Sequence, residues 1–196
     1  MKKTSQIVLR EDEFYIIAAP NGKVLEVADY NTENGAAIQL WDYAGQPWQQ
    51  WRFVESGDDE YRIQNRFTGK MIDLAYGGVV EGTWLHQWAR TSGASQRWQL
   101  ELCRSGRVRI RSVLAGKCID LVAMNTKNGA RAQIWLDVQG GNQEWNIRLV
   151  EAKDAPAAPE APACKAAPKG KTPAQRKHQN DLVEKINSHG AKTKKK

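Results

Sequence analysis

The chain has 196 residues, and no apolar run in it approaches the ~20 residues that a membrane-spanning helix needs. The chain contains 29 Lys and Arg residues, of which eleven lie at position 151 or later, and 22 Asp and Glu residues, of which five do. Residues 1–150 therefore contain 18 basic and 17 acidic residues. The excess of positive charge therefore belongs to the C-terminal segment, which excludes a basic folded surface as the basis of nucleic-acid binding.

The chain begins with a lead-in, residues 1–9. Its basic start is followed by the charged run from Arg10 to Glu13 and not by an apolar segment, so we expect no secretory signal peptide. This pattern leaves two expectations for the compartment, the cytoplasm or release by a non-classical route.

A repeat of 47 residues divides the next part of the chain into three units, residues 10–56, 57–103 and 104–150. The clearest sign is the motif Gln-x-Trp, which occurs once in each unit and ends at Trp51, Trp98 and Trp145. A Gly-Lys pair recurs with the same spacing and begins at Gly22, Gly69 and Gly116. Because no insertion interrupts the register, we expect the three units to share one structure and one core.

Each unit predicts four short strands separated by turns. In the first unit they cover residues 14–16, 24–27, 38–41 and 49–53. The pair Asn34-Gly35 is a strong turn signal, and Asn128-Gly129 occupies the same place in the third unit. About twelve short strands with regular turns predict a closed all-β fold for residues 10–150.

This three-fold repeat closed by Gln-x-Trp resembles the ricin-B lectin family, over roughly residues 10–150. The resemblance implies a β-trefoil that binds glycans through galactose-like or xylose-like sugars, with neither metal nor cofactor. It also implies three site residues per unit: an acidic residue after the Gly-Lys turn, an aromatic residue ending the third strand, and an Asn before Gln-x-Trp. Such a set suits a pyranose, because its apolar C–H face packs on a ring while its hydroxyls bond carboxylate and amide groups.

The third unit carries the complete set of site residues. Its candidates are Asp120, Gln133, Trp135, Asn142 and Gln143. Strand alternation places Gln133 and Trp135 on the face directed away from the core, with Ile134 inward. Two structural alternatives remain: Asp120 accepts bonds from loop N–H groups, and Gln143 ties the loop backbone together.

The second and first units depart from the full set. The second offers Asp73, His86, Trp88 and Ser95, and the first offers Glu26, Gln39, Trp41 and Trp48. Ser95 is shorter than Asn, which predicts a weaker second site, and Gln87 stands at an inward position. In the first unit Glu26 shifts the carboxylate, and Trp48 either blocks the pocket or adds a second stacking ring. We therefore rank the three sites third, second, first.

The remaining aromatic residues, cysteines and histidines do not predict chemistry. Trp51, Trp98 and Trp145 are expected in the core, whereas Trp84 is a variable surface ring for which a subsite role is open. Three cysteines give a poor disulfide or metal pattern, so we expect reduced thiols, although a meeting of Cys103 with Cys118 remains compatible with the sequence. No catalytic triad or metal-ligand spacing occurs, and we expect no enzyme.

Residues 151–196 form a basic, low-complexity tail. We expect it to be disordered, with a Pro/Ala spacer at 155–163 and a candidate short helix over 175–188. Two functions other than sugar binding remain open: a protein-binding trefoil with vestigial pockets, and contact of the tail with nucleic acid, membrane or another polyanion. The sequence assigns no oligomeric state.

Overall fold

The computed structural model describes residues 9–151, and these form a β-trefoil. The first repeat contains β1 (Tyr15–Ala18), β2 (Val24–Val27), β3 (Ile38–Trp41) and β4 (Trp51–Gly57). The second contains β5 (Glu60–Asn65), β6 (Met71–Leu74), β7 (Leu85–Trp88) and β8 (Trp98–Leu102). The third contains β9 (Val108–Ser112), β10 (Cys118–Leu121), β11 (Ala130–Trp135) and β12 (Asn146–Leu149). The predicted fold class is therefore confirmed for this part of the chain.

Six single-turn 3₁₀ helices connect these strands within residues 9–151. They cover Ala28–Tyr30, Pro47–Gln49, Ala75–Gly77, Ala94–Gln96, Val122–Met124 and Gly141–Gln143. The fourth strand begins at Trp51 rather than at residue 49 as predicted, because Pro47 starts a helical turn that ends at Gln49. No helix in the described range is long and apolar enough to cross a membrane.

The first and last strands of the repeats close a six-stranded barrel. Hairpins β4–β5 and β8–β9 join successive repeats, and β12 pairs with β1 to close the ring. The middle strands form three further hairpins, β2–β3, β6–β7 and β10–β11, which meet one another through β3, β7 and β11. This topology brings the third strands of all three repeats together around the pseudo-three-fold axis.

The three tryptophans of the Gln-x-Trp motifs are fully buried in one shared core, as predicted. Each also donates a hydrogen bond from its indole nitrogen to a main-chain carbonyl of the second strand in its repeat. The acceptors are Leu25 at 2.9 Å, Ile72 at 3.2 Å and Ile119 at 3.2 Å. A buried indole therefore keeps a partner for its N–H group and fixes the strand that carries the acidic site residue.

Gln87, the polar residue at an inward position, is fully buried and fully bonded. Its amide nitrogen donates to the carbonyls of Asn31 and Glu33 at 2.8 and 2.9 Å, and its oxygen accepts from the Thr68 hydroxyl at 2.7 Å. The same position holds Leu40 and Ile134 in the other repeats. These contacts remove the cost of burying an amide and tie the second repeat to the first.

Cys103 and Cys118 are free thiols, and burial raises the pKa of the Cys118 thiol to about 11. The expectation of reduced thiols is confirmed for these two residues. Cys164, the basic tail and its candidate helix over 175–188 lie outside the described residues.

Candidate functional site

The third repeat contains a cavity of about 470 Å³. The residues that line it are Asp120, Val122, Ala123, Met124, Gln133, Trp135, Val138 and Asn142. Four of the five residues predicted for this site lie in this wall, and the fifth, Gln143, lies behind it. Strand β10, strand β11 and the turn before Trp145 thus bring together residues that are up to 22 positions apart in the sequence.

Asp120 lies at the bottom of this cavity with 3% of its surface exposed. Three side-chain amides donate to its carboxylate: Gln133 at 3.1 Å to one oxygen, and Asn142 at 2.6 Å and Gln143 at 3.0 Å to the other. Burial raises the pKa of Asp120, and the three amide hydrogen bonds act in the opposite direction. The carboxylate is therefore held in one position, and its charged form is stabilised by amides alone.

Gln143 uses its whole carboxamide to hold the loop around Asp120. Besides the carboxylate, its nitrogen donates to the carbonyl of Leu136 at 2.7 Å, and its oxygen accepts from the backbone N–H of Val138 at 3.0 Å. The side chain is fully buried. Gln143 therefore bonds both the loop backbone and the carboxylate of Asp120.

Trp135 presents an exposed ring at the rim of the cavity, with 40% of its surface accessible. The glycine of the preceding repeat, Gly82, lies against this ring, because a Cβ atom built on it would be 3.8 Å from the indole. The backbone N–H of Gly82 donates to the carbonyl of Ile134 at 3.0 Å. The stacking candidate of one repeat is thus supported by a turn of another.

The same contact between repeats occurs at all three sites. A Cβ atom at Gly35 would lie 3.9 Å from Trp88, and one at Gly129 would lie 3.9 Å from Trp41. These glycines were visible in the sequence as members of the 47-residue register. Their contact with the site tryptophans was not predicted, because it joins different repeats.

Apolar residues form a second wall of the third cavity, and the sequence analysis missed them. Val122, Ala123 and Met124 belong to the 3₁₀ turn after β10. Ala123 and Met124 both have φ of 52°, in the left-handed region that residues with a Cβ rarely adopt. The only available signal was their position two to four residues after Asp120.

The first repeat forms a smaller cavity, of about 130 Å³, around Glu26. Gln39 and Gln49 donate to its two carboxylate oxygens at 3.0 and 2.8 Å, and burial raises the pKa of Glu26. Trp48 packs edge-to-face against Tyr30, with ring centroids 4.3 Å apart, and both rings line the cavity. Trp48 thus lies in the wall of the first cavity without filling it, and its predicted role as a second stacking ring stays a prediction.

In the described part of the second repeat, Asp73 accepts one side-chain hydrogen bond, whereas Asp120 accepts three. Gln96 donates to Asp73 at 2.8 Å, but Ser95 makes no hydrogen bond to this carboxylate within residues 9–151. His86 is buried and stacks on Trp88, with ring centroids 5.3 Å apart at 26°. Burial lowers the pKa of His86, which favours a neutral ring under the tryptophan.

No group of three His, Cys, Asp or Glu side chains in the described part of the chain has the arrangement of a metal site. Within each repeat, the geometry instead gathers one buried carboxylate, amide groups and one exposed indole.

Comparison with known proteins gives a consistent assignment. The family model described as ricin-type beta-trefoil lectin domain-like matches residues 6–88 and 94–157. No curated protein matches the chain at a significant level.

Solved structures provide closer comparisons. The designed three-fold symmetric protein ThreeFoil is 30% identical with a TM-score of 0.68, over 70% of this chain and 99% of its own. The exo-beta-1,3-galactanase 1,3Gal43A from Clostridium thermocellum is 32% identical with a TM-score of 0.70, over 73% of this chain and 31% of its own. The C-half of an earthworm R-type lectin is 22% identical with a TM-score of 0.58, over 70% and 98%, and shares the fold. With the family model matching most of its length, the chain belongs to the family of ricin-type β-trefoil lectin-like domains.

Proposed function

We propose that the protein is a non-catalytic carbohydrate-binding protein and that the cavity of the third repeat is its main site. The observation that carries this proposal is the fixed carboxylate of Asp120 beside the exposed ring of Trp135. A carboxylate has about four acceptor positions, and three amide donors occupy three of them. The remaining position is available to a sugar hydroxyl.

The other walls suit the apolar part of a pyranose. The C–H face of the sugar packs on Trp135, and its edge contacts Val122 and Met124. Asn142 donates one amide hydrogen to Asp120, and its second amide hydrogen and its oxygen can bond hydroxyl groups of the sugar. We propose a galactose-like or xylose-like sugar in this position, with single-site affinity near millimolar, about −4 kcal/mol.

The single carboxyl group in the lining of the third cavity supports binding rather than hydrolysis. Asp120 is the only acidic residue among the eight that line it. Cleavage of a glycosidic bond by the usual route needs two carboxyl groups roughly 5–10 Å apart. The chain spans 31% of the length of the galactanase to which it is similar, so that enzyme's activity is not transferred to it.

Membership of a lectin-like family supports a carbohydrate as the general class of ligand. The earthworm relative is a lectin whose structure is a complex with GalNAc. Its identity to this chain shows the fold alone, and the choice of sugar therefore depends on the residues of the cavity.

A glycan array and titration calorimetry with the full chain test the proposal, at about 0.5 M salt so that contacts of the basic tail are screened. Trp135→Ala is the test variant, and Trp41→Ala and Trp88→Ala are matched controls, because these rings are 41% and 39% exposed against 40% for Trp135. We expect Trp135→Ala to lose roughly ten-fold or more in affinity and the controls to lose much less.

Two outcomes would contradict the proposal. Equal losses in all three variants would remove the special role of the third repeat. A folded wild-type protein that binds no glycan would overturn sugar binding altogether and would favour a protein or polyanion partner.

A further inference from the structure

Arg131 stands at the meeting point of the three third strands. Its main chain pairs with Gln39 of the first repeat, and it precedes the cavity residue Gln133 by two positions on β11. Residues two apart on a strand face the same side, so the Arg131 side chain lies on the same face as the third cavity, about 7 Å along the strand from Gln133. The positive charge also reaches the second repeat, where it lowers the pKa of His86.

Trp84 of the second repeat lies beside Arg131 and beside the third cavity. It pairs directly with Gln133 across an antiparallel bridge, which places the two side chains next to each other on one face. The Arg131 guanidinium lies 3.8 Å from the centroid of the indole, a close cation–π contact. Half of the Trp84 surface is exposed, so the pair forms an open platform next to the proposed sugar position.

The charge of Arg131 has no carboxylate partner among residues 9–151. Eight ion pairs occur in this range and none includes it. By contrast, Arg111 binds Glu101 and Asp137 at 2.6 and 2.9 Å. Of the three nitrogens of Arg131 only Nε is buried, and none has an acceptor in the described range, so both terminal nitrogens are accessible.

We infer that Trp84 and Arg131 form an accessory site that binds an anionic group, a carboxylate or a sulfate, on the sugar next to the one held by Trp135. A guanidinium binds either anion through two parallel hydrogen bonds, and the indole of Trp84 holds the Arg131 guanidinium in place for this contact. The separation of about 7 Å along β11 is comparable to the length of one pyranose unit. This inference rests on the proposed sugar binding by the third repeat and assigns the class of glycan, an acidic one.

The position is specific to this pair of repeats. Trp84 and Arg131 occupy the same position of the second and third repeats. The first repeat has Ala37 at this position, which offers neither a ring nor a charge. Trp84 pairs with Gln133 in the wall of the third cavity, whereas Arg131 pairs with Gln39 in the wall of the first. We assign the anionic site to the third cavity because that cavity, at about 470 Å³ against about 130 Å³, is the larger of the two.

The test compares neutral and acidic forms of one glycan. The probes are galactose-terminated and xylose-terminated disaccharides, each neutral, sulfated or carrying a uronic acid as the second sugar, titrated at about 0.15 M salt. The test variant is Arg131→Ala, and the matched control is Arg104→Ala, which removes an exposed charge of the same sign from the β8–β9 turn. Both proteins keep the basic tail, so its contribution cancels. Thermal unfolding checks that both are folded.

We expect the wild type and Arg104→Ala to prefer the acidic form roughly ten-fold, and Arg131→Ala to lose that preference while binding the neutral form within about two-fold of wild type. Arg131→Lys, which keeps the charge without the planar fork, should retain part of the preference. Equal binding of acidic and neutral forms by wild type would overturn the accessory site but leave sugar binding intact. The absence of binding to every probe would overturn both.

Discussion

The indole nitrogen of Trp145 donates to the main-chain carbonyl of Ile119 at 3.2 Å, one residue before Asp120. The same bond joins Trp51 to Leu25 and Trp98 to Ile72, in each case directly before the acidic residue of that repeat. The Gln-x-Trp motif therefore serves the site from both sides: its Trp fixes the strand, and its Gln bonds the carboxylate. This double role explains why the motif repeats in register with the acidic residues.

Trp145→Phe should destabilise the fold and weaken the third site together. The substitution leaves the Ile119 carbonyl without a partner in the core and opens a small cavity, which together cost about 2–3 kcal/mol. Urea unfolding measures the loss, with Trp135→Phe as the control, because that ring is exposed and should cost less than about 1 kcal/mol. Equal losses in the free energy of unfolding for the two variants would contradict a stabilising role of the buried hydrogen bond between Trp145 and Ile119.

Ser95→Asn should strengthen the second site. The longer side chain can donate to Asp73 as Asn142 donates to Asp120 at 2.6 Å, which supplies one of the two amide hydrogen bonds that Asp120 has and Asp73 lacks. Calorimetry should then show an additional binding event or a several-fold tighter second one. The reverse change, Asn142→Ser, should weaken the third site by a similar factor. If Ser95→Asn leaves the number and strength of binding events unchanged, the third-site Asn is not the residue that distinguishes the two repeats.

Sugar affinity should fall at acid pH. Burial raises the pKa of Asp120 above its ordinary value of 3.8, and the ionised carboxylate accepts a stronger, charge-assisted bond from a sugar hydroxyl than the protonated acid does. Calorimetry between pH 4 and 7 should show binding that is complete at neutral pH and weakens as the pH falls through this raised pKa. A pH-independent affinity over this range would contradict a role for the Asp120 charge.

The contribution of Asp120 to the free energy of unfolding changes with pH in the opposite direction to its contribution to sugar affinity. The folded state holds the proton more tightly than the unfolded chain, so this group contributes most to the free energy of unfolding at low pH. That contribution is lost as the pH rises from about 4 through the raised pKa. Weak binding at acid pH would therefore not arise from unfolding caused by this residue, and urea unfolding at each pH checks the point.

Gly82→Ala should cost stability without moving the sugar-binding ring. Gly82 has φ of +80°, a conformation that costs a residue with a Cβ roughly 1–2 kcal/mol, while the added methyl would meet Trp135 at an ordinary contact distance of 3.8 Å. Gly22→Ala is the matched control, since its φ is +87° and nothing lies within 4 Å of its Cβ position. We expect similar losses on unfolding and sugar affinities within about two-fold of wild type. A loss of sugar affinity in Gly82→Ala but not in Gly22→Ala would contradict this prediction, because it would show that Trp135 needs a residue without a Cβ atom at position 82.

The sequence by itself determined the repeat, the all-β class, the core tryptophans and the polar and aromatic candidates for each site. These follow from local regularities: a constant 47-residue step, turn signals between short apolar runs, and the alternation of side chains along a strand. The grouping of Asp120, Asn142 and Trp135 came from the resemblance to ricin-B lectins, and in the structure all three line one cavity. What each of them contacts was open until the strands were assembled.

Only the tertiary structure decided the contacts that cross from one repeat to another. The support of Trp135 by Gly82, the bonds that satisfy Gln87 and the stacking of Arg131 on Trp84 all join residues that no local pattern links. It also decided the size of the cavities, which is about 130 Å³ in the first repeat, where Trp48 packs against Tyr30, and about 470 Å³ in the third. The physical reason is that periodicity fixes the face on which a side chain lies, whereas its partners and their distances depend on how the three hairpins pack around the axis.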